Sequence, residues 1–178
     1  AVEAAAKTDR LTGLLNREAF TQTLSLEVKR AARYGNDLAV LTCRLGGVRL
    51  VNANYGLAAG DQLIAAIGRI LRENVRDVDL VGRTAGAEFG VILPEQQLPG
   101  ASVVARRLLR LVEEAAVELH GPEGERVRVT PQCRFGVERF ADHDGPGELL
   151  QQALARGEEA LAEGQRLGPA AAREEPAG

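Results

Sequence analysis

Two short apolar stretches, residues 78–83 and 88–93, are separated by Thr84-Ala85-Gly86-Ala87. The spacing and the small turn residues predict a β-hairpin, which commits the chain to an antiparallel sheet. Just upstream, Leu63, Ile64, Ile67, Ile70 and Leu71 recur at helical spacing and predict an amphipathic helix over residues 61–74. A lone hairpin is marginal in water, so a helix has to cover its apolar face. The rest of the chain alternates in the same way. Phe20, Leu24 and Val28 form one stripe of a helix over residues 18–34, and residues 38–45 suit a buried strand. A helix is expected over residues 101–119 after Pro99-Gly100, strands over 127–130 and 132–137 around Pro131, and a last helix over 149–161. This order predicts an α+β domain with a central antiparallel sheet flanked by helices and the hairpin turn at its centre.

A chain of 178 residues with 45% hydrophobic side chains has enough apolar surface for one domain core. Aromatics are 3% and Trp and Met are absent, so that core is built from Leu, Val, Ile and Ala. The net charge of -3 argues against nucleic acid as a partner. Lys7 and Lys29 are the lysines and the other cations are arginines. Arginine suits bidentate contacts to phosphate and base edges, though coding bias gives the same excess. Cys43 and Cys133 lie in strand-like stretches without a C-x-x-C pair and read as buried, reduced thiols. His120 and His143 are expected in loops. The sequence has no apolar run long enough to cross a bilayer, so no membrane insertion by this segment and a cytoplasmic location are expected. Residues 1–7, with Glu3 and Lys7 one turn apart, read as the end of a signalling helix from an upstream sensor or effector domain. Residues 8–166 form the domain, and residues 167–178 read as a disordered tail.

Three segments carry a family resemblance. Asp9-Arg10-Leu11-Thr12-Gly13-Leu14-Leu15-Asn16-Arg17 is similar to D-x-L-T-G-L-P-N-R, with Leu15 in place of the proline. The run from Asn52 through Tyr55-Gly56-Leu57 to Gly60-Asp61 is similar to N-D-x-[YF]-G-H-x-x-G-D. Arg83-Thr84-Ala85-Gly86-Ala87-Glu88-Phe89 is similar to R-x-G-G-D-E-F. In order and at matching spacings, these resemble a GGDEF (diguanylate cyclase) domain. The resemblance implies a cyclase-like, ferredoxin-related fold with the signature turn on a central hairpin. It also implies an activity in which two domains meet face to face and join two GTP molecules into cyclic di-GMP.

The residues that would perform that reaction differ here. The family's metal-binding acids, a D-x-D pair on the first strand and the third signature position, align with Arg44-Leu45-Gly46 and with Ala87. Mg²⁺ takes hard oxygen ligands, and Arg44 places a cation where the ion belongs. The signature Ala85, Gly86, Ala87, Glu88, Phe89 therefore reads as degenerate, with no catalytic residues, no metal, no Mg²⁺ and no other cofactor expected. Val48-Arg49 replaces a Phe-Lys pair, Leu57 a histidine, and Leu161 and Gln165 a phosphate-binding lysine and arginine.

Two constellations persist. Asn52 and Asp61 match the family's guanine-reading pair, and they also suit a capping role on the adjoining helix, with Asp61 at its N-terminus. Arg76 and Asp79 form an R-x-x-D at the spacing of the family's inhibitory cyclic di-GMP site, and Arg107 aligns with that site's second arginine. An R-x-x-D is equally a loop salt bridge. The reading favoured is a catalytically inactive cyclic di-GMP receptor using Arg76, Asp79 and Arg107, with the ligand bridging a homodimer. The alternatives are a protein–protein dimerisation or localisation module without nucleotide, and a GTP-binding regulator using Asn52 and Asp61.

Overall fold

The computed structural model describes residues 6–143, 145–166 and 175–176. The first helix, α1 (Arg17–Tyr34), begins where the Asn16 side chain accepts the Ala19 amide at 2.9 Å. It is followed by β1 (Leu38–Gly46), α2 (Val48–Tyr55), α3 (Leu57–Glu73), the hairpin β2 (Leu80–Ala85) and β3 (Glu88–Pro94), and α4 (Leu98–Glu114). Then come β4 (Val117–His120), β5 (Arg126–Val129), β6 (Gln132–Arg139), α5 (Pro146–Arg166) and a two-residue strand β7 (Glu175–Pro176).

The central sheet has the order β2-β3-β1-β6, and every pairing is antiparallel. Its two faces are both covered, which explains why β1 is apolar from Leu38 to Leu41 with no polar alternation. Ala39, Leu41, Cys43 and Leu45 pack in one cluster with Leu63, Ile67 and Leu71 of α3 and with Leu108 and Val112 of α4. Leu38 and Val40 pack in the other with Phe20, Leu24 and Val28 of α1 and with Leu149 and Ala153 of α5. The α3 stripe is core as its spacing requires: Leu63, Ile64, Ile67 and Leu71 are buried and Ile70 is partly buried against them. Burying each such side chain contributes roughly 1.5–3 kcal/mol.

Gly82 and Gly90 face each other across the hairpin, and the Phe20 ring occupies the space their side chains would take. A Cβ on Gly82 would lie 2.7 Å from Phe20 Cδ2. The hairpin is thereby pressed onto α1 more closely than any larger residue allows.

Several boundaries differ from those the sequence predicts. The helix expected over residues 101–119 ends at Glu114, and Val117–His120 is a strand paired with β5 in register Val117↔Val129. Leu119 is fully buried there, and the Gln62 amide clamps the strand by donating to the His120 carbonyl at 3.2 Å and accepting its N–H at 2.9 Å. Tertiary pairing overrides the helical spacing. His120 is thus in a strand. The helix α2 was not expected; glycines with left-handed φ flank it, Gly47 at 80° and Gly56 at 88°, and turn the chain sharply from β1 into α3. The hairpin turn is shorter than the four residues expected: Ala85 pairs with Glu88, leaving Gly86-Ala87 as the turn and a bulge at Thr84.

Both cysteines are buried thiols, as expected. A hydrogen bond with Cys133 and complete burial push the Cys43 thiol well above its ordinary range. Of the N-terminal helix expected over residues 1–7, residues 1–5 lie outside the described residues, and Ala6 and Lys7 are not helical. The expected disordered tail lies outside them too, apart from Glu175–Pro176 beside β5. Among the described residues no helix is long and apolar enough to cross a membrane.

Candidate functional site

Three places in this fold concern the residues singled out by the sequence. The first is the hairpin turn. Arg44 on β1 and Glu88 on β3 are direct cross-strand partners, and their side chains form an ion pair at 3.0 Å. The other Glu88 oxygen accepts the Thr84 hydroxyl at 2.7 Å. Glu88 is buried, so this pairing answers a charge that the interior would otherwise penalise. Arg44, Leu45, Val48, Arg49, Ala85 and Ala87 line an open pocket of about 360 Å³ around it. The donor set suits a divalent cation poorly. Positions 44, 46 and 87 carry a guanidinium, a hydrogen and a methyl, and both oxygens of Glu88 are engaged. Among the described residues no group of three or more His, Cys, Asp and Glu is placed to hold a metal. Leu161 and Gln165 fall on α5 where side chains lie outside the described part.

The turn is tied to the N-terminal loop. Arg83 donates to the Gly86 carbonyl at 2.8 Å and to Asp9 at 3.2 Å, while Asp9 accepts the Thr12 amide at 2.9 Å and the Thr12 hydroxyl at 2.7 Å. Burial opposes ionisation of Asp9, but the Thr12 hydrogen bonds and the Arg83 charge outweigh it and hold its carboxyl below the usual range.

The second place is the Asn52 and Asp61 pair, where the capping role is overturned. The helix α3 starts at Leu57, with Gly56 at its cap position and no side-chain cap. Asp61 lies beyond the first turn and is exposed. Asn52 lies in α2, with its side chain resting where a Cβ on Gly60 would be. Its Oδ1 is buried without a hydrogen-bond partner. The helix beginning at Leu57 is set by the Gly56 turn, which comes one turn earlier than the acidic residue suggested.

The third is the loop between α3 and β2. Asp79 is 2% exposed and grips Arg76 completely: its carboxylate accepts the Arg76 amide at 2.8 Å, Nε at 3.1 and 3.2 Å, and Nη2 at 2.8 Å. The same Nη2 donates to the Pro94 carbonyl at 2.9 Å. These bonds, against burial, drive the Arg76 guanidinium further above its usual range, with the Asp79 and Glu95 charges adding to them. Arg107 on α4 donates to the Asn74 carbonyl at 2.8 Å, two residues before Arg76. The structure therefore brings all three predicted residues to one corner, Arg76 and Asp79 directly and Arg107 through the backbone of their loop. The salt-bridge reading of R-x-x-D holds as geometry, and the pair is half-exposed on the arginine side.

Sequence reasoning missed the Arg44–Glu88 pairing, although Glu88 was in view, because the partner depends on strand register. It also missed a partly buried cluster at the end of β6. His143 Nε2 meets Glu138 at 2.8 Å, its Nδ1 lies 3.6 Å from Glu148, and Arg156 pairs with Glu138 as well. His143 sits in a loop as expected but is 7% exposed.

The profile described as diguanylate cyclase, GGDEF domain, matches residues 6–166. The chain belongs to the GGDEF family. It is 33% identical over 163 residues to the diguanylate cyclase DgcP of Pseudomonas aeruginosa, a match that covers 92% of this chain and 23% of DgcP. This GGDEF domain thus spans under a quarter of that relative. The solved GGDEF domain of TpbB (YfiN) from the same organism superimposes with a TM-score of 0.78 at 28% identity, covering 88% of this chain and 89% of that one. The GGDEF domain of DgcB from Caulobacter crescentus, solved in complex with c-di-GMP, shares the fold with a TM-score of 0.79 at 22% identity, covering 92% of each chain. The α+β architecture expected from the sequence is that of these domains.

Proposed function

We propose that this GGDEF domain is a cyclic di-GMP receptor without cyclase activity, working in the cytoplasm under an upstream domain. The observation that carries the reading is the convergence of Arg76, Asp79 and Arg107 at one corner, with Arg76 fixed by a buried carboxylate and half-exposed toward solvent. A guanine needs donors for O6 and N7 and an acceptor for N1–H and the exocyclic amine. The two arginines supply the first, and Asp79, whose buried oxygens Arg76 holds in the free domain, supplies the second once Arg76 turns toward the ligand. The guanidiniums also suit the phosphates of the dinucleotide ring. The c-di-GMP complex of the DgcB domain supports such a ligand for this fold.

The absence of cyclase activity rests on the turn. Phosphoryl transfer between nucleotides depends on divalent metal at the phosphates. Here Arg44 takes a carboxylate's place and engages Glu88, so the pocket offers a cation and no free acid from positions 44, 46 or 87. One further reading has an observation of its own. The buried, unpartnered Oδ1 of Asn52 is a spare acceptor, which supports guanine recognition by Asn52 and Asp61 and so a GTP-responsive domain.

Calorimetry with cyclic di-GMP and with GTP separates these. The receptor reading expects cyclic di-GMP binding that Arg76→Ala weakens by about 5- to 150-fold, the equivalent of one lost bidentate contact of roughly 1–3 kcal/mol. Asp79→Asn weakens it too, and Arg49→Ala on the turn pocket leaves it unchanged. Binding of GTP alone, lost in Asn52→Ala, favours the second reading. No binding of either near 100 μM, equivalent to about 5.5 kcal/mol, leaves a protein–protein module.

A further inference from the structure

The loop that carries Arg76 opens onto a pocket of about 410 Å³ between α1, the start of β1 and the end of β3. Glu27, Asp37, Asp77 and Glu95 line it beside Arg30 and Arg76. With Asp79 behind Arg76, and Arg72 and Arg107 bonded to the backbone of the same loop, five carboxylates stand against four guanidiniums. A cyclic dinucleotide arriving there brings two phosphate charges of the same sign as the excess. A site built only for tight anion binding would have the opposite balance.

Among the four acids of the pocket wall, Glu95 is held by the backbone in an unusual way. Its φ is 54°, and among the described residues no other non-glycine residue has a positive φ. Glycine adopts that conformation freely and a side chain does so at a cost, so the loop keeps Glu95 there through its surroundings. Asn36 Nδ2 donates to Glu95 Oε1 at 3.5 Å. The carbonyl of the preceding Pro94 accepts Arg76 Nη2 at 2.9 Å, which sets the Glu95 backbone beside the guanidinium. The Glu95 charge adds to that of Asp79 in stabilising the Arg76 cation. Glu95 is itself exposed, so its carboxylate is available to a ligand entering the pocket.

We propose that Glu95 is an electrostatic gate on the Arg76 pocket, holding Arg76 in its closed pair with Asp79 and repelling the phosphates of the incoming ligand. The inference rests on the receptor reading above. It makes the affinity respond to salt in the reverse of the usual sense. Screening weakens an attractive cationic site, but it relieves repulsion where acids prevail. The gate sets a high threshold concentration of ligand and lets ionic strength lower it.

The test is calorimetry of cyclic di-GMP with the whole chain, at low salt and at about 0.3 M salt, where the screening length is well under 10 Å. Glu95→Gln removes the charge, and Glu95→Gly removes it and relieves the backbone. Both are expected to bind about 3- to 10-fold tighter than wild type at low salt, the scale of one like charge several ångströms from a phosphate. Wild-type affinity is expected to rise with salt and that of Glu95→Gln to rise less. Arg76→Ala weakens binding in either background, by about the same 5- to 150-fold. Wild type and Glu95→Gln binding equally, with the same salt response, overturns the gate and leaves the receptor intact. No binding by either Glu95 variant near 100 μM overturns both. Thermal melts of the two variants confirm that each is folded, as substitution of an exposed loop residue allows.

Discussion

Gly90→Ala adds one methyl group to β3 directly beneath the Phe20 ring. The structure leaves no room for it. A Cβ there falls on Phe20 Cζ, with Cε1 and Cε2 each at 2.9 Å, where carbon atoms prefer about 3.5–4.0 Å. The ring has no exit, since Phe20 is 0% exposed and packs with Leu24, Val40, Ile92 and Leu149. Overpacking of this kind costs about 1–3 kcal/mol. Replacing glycine returns about 0.4–1 kcal/mol by restricting the unfolded chain, so a net loss of roughly 1–2 kcal/mol is expected. With a urea slope of about 2 kcal/mol/M, the denaturation midpoint falls by about 0.5–1 M. The decisive measurement is a double-mutant cycle with Phe20→Leu. The smaller side chain vacates the slot, so Gly90→Ala becomes nearly neutral in that background, a coupling of about 1 kcal/mol or more. An unchanged midpoint for Gly90→Ala, or strict additivity with Phe20→Leu, refutes the steric account of why the hairpin carries glycine on both strands.

Three further outcomes follow from the same geometry. Incubation of the chain with GTP and Mg²⁺ or Mn²⁺ is expected to yield no cyclic di-GMP by chromatography, and turnover that disappears in Glu88→Ala would show that Glu88 serves as a metal ligand after all. Because the folded Asp9 carboxyl sits below its ordinary value, its stabilising contribution is present above pH about 4 and is lost as pH falls through the folded value; acid denaturation of Asp9→Asn should lack that component. Burial opposes protonation of His143, but the hydrogen bond with Glu138 and the charges of Glu138 and Glu148 prevail and raise it, so its contribution is full below pH about 6.5 and fades as pH rises through the folded value. Urea midpoints of His143→Gln between pH about 6 and 8 should therefore be flatter than those of wild type.

Hydrophobic period and turn chemistry are local, and they determine most elements of this protein, though not α2 or β4. The stripe of Leu63, Ile67 and Leu71 implies one covered face, the apolar start of β1 two, and the small residues between β2 and β3 a hairpin. The three motifs, read in order, carried the family, and the R-x-x-D spacing carried the corner where Arg76, Asp79 and Arg107 meet. What depended on register or on distant neighbours was decided only by the tertiary structure. Val117–His120 is a strand because β5 pairs with it and Leu119 fills the core, although its residues continue a helical spacing. Arg44 finds Glu88 because strands 44 residues apart in sequence set them opposite each other. Asp61 is no cap because Gly56 turns the chain first, and Glu95 shares a pocket wall with Arg76 in a backbone conformation that no residue type announces. A side chain's partner is fixed by where the sheet and helices place it, and that placement is a property of the whole packed chain.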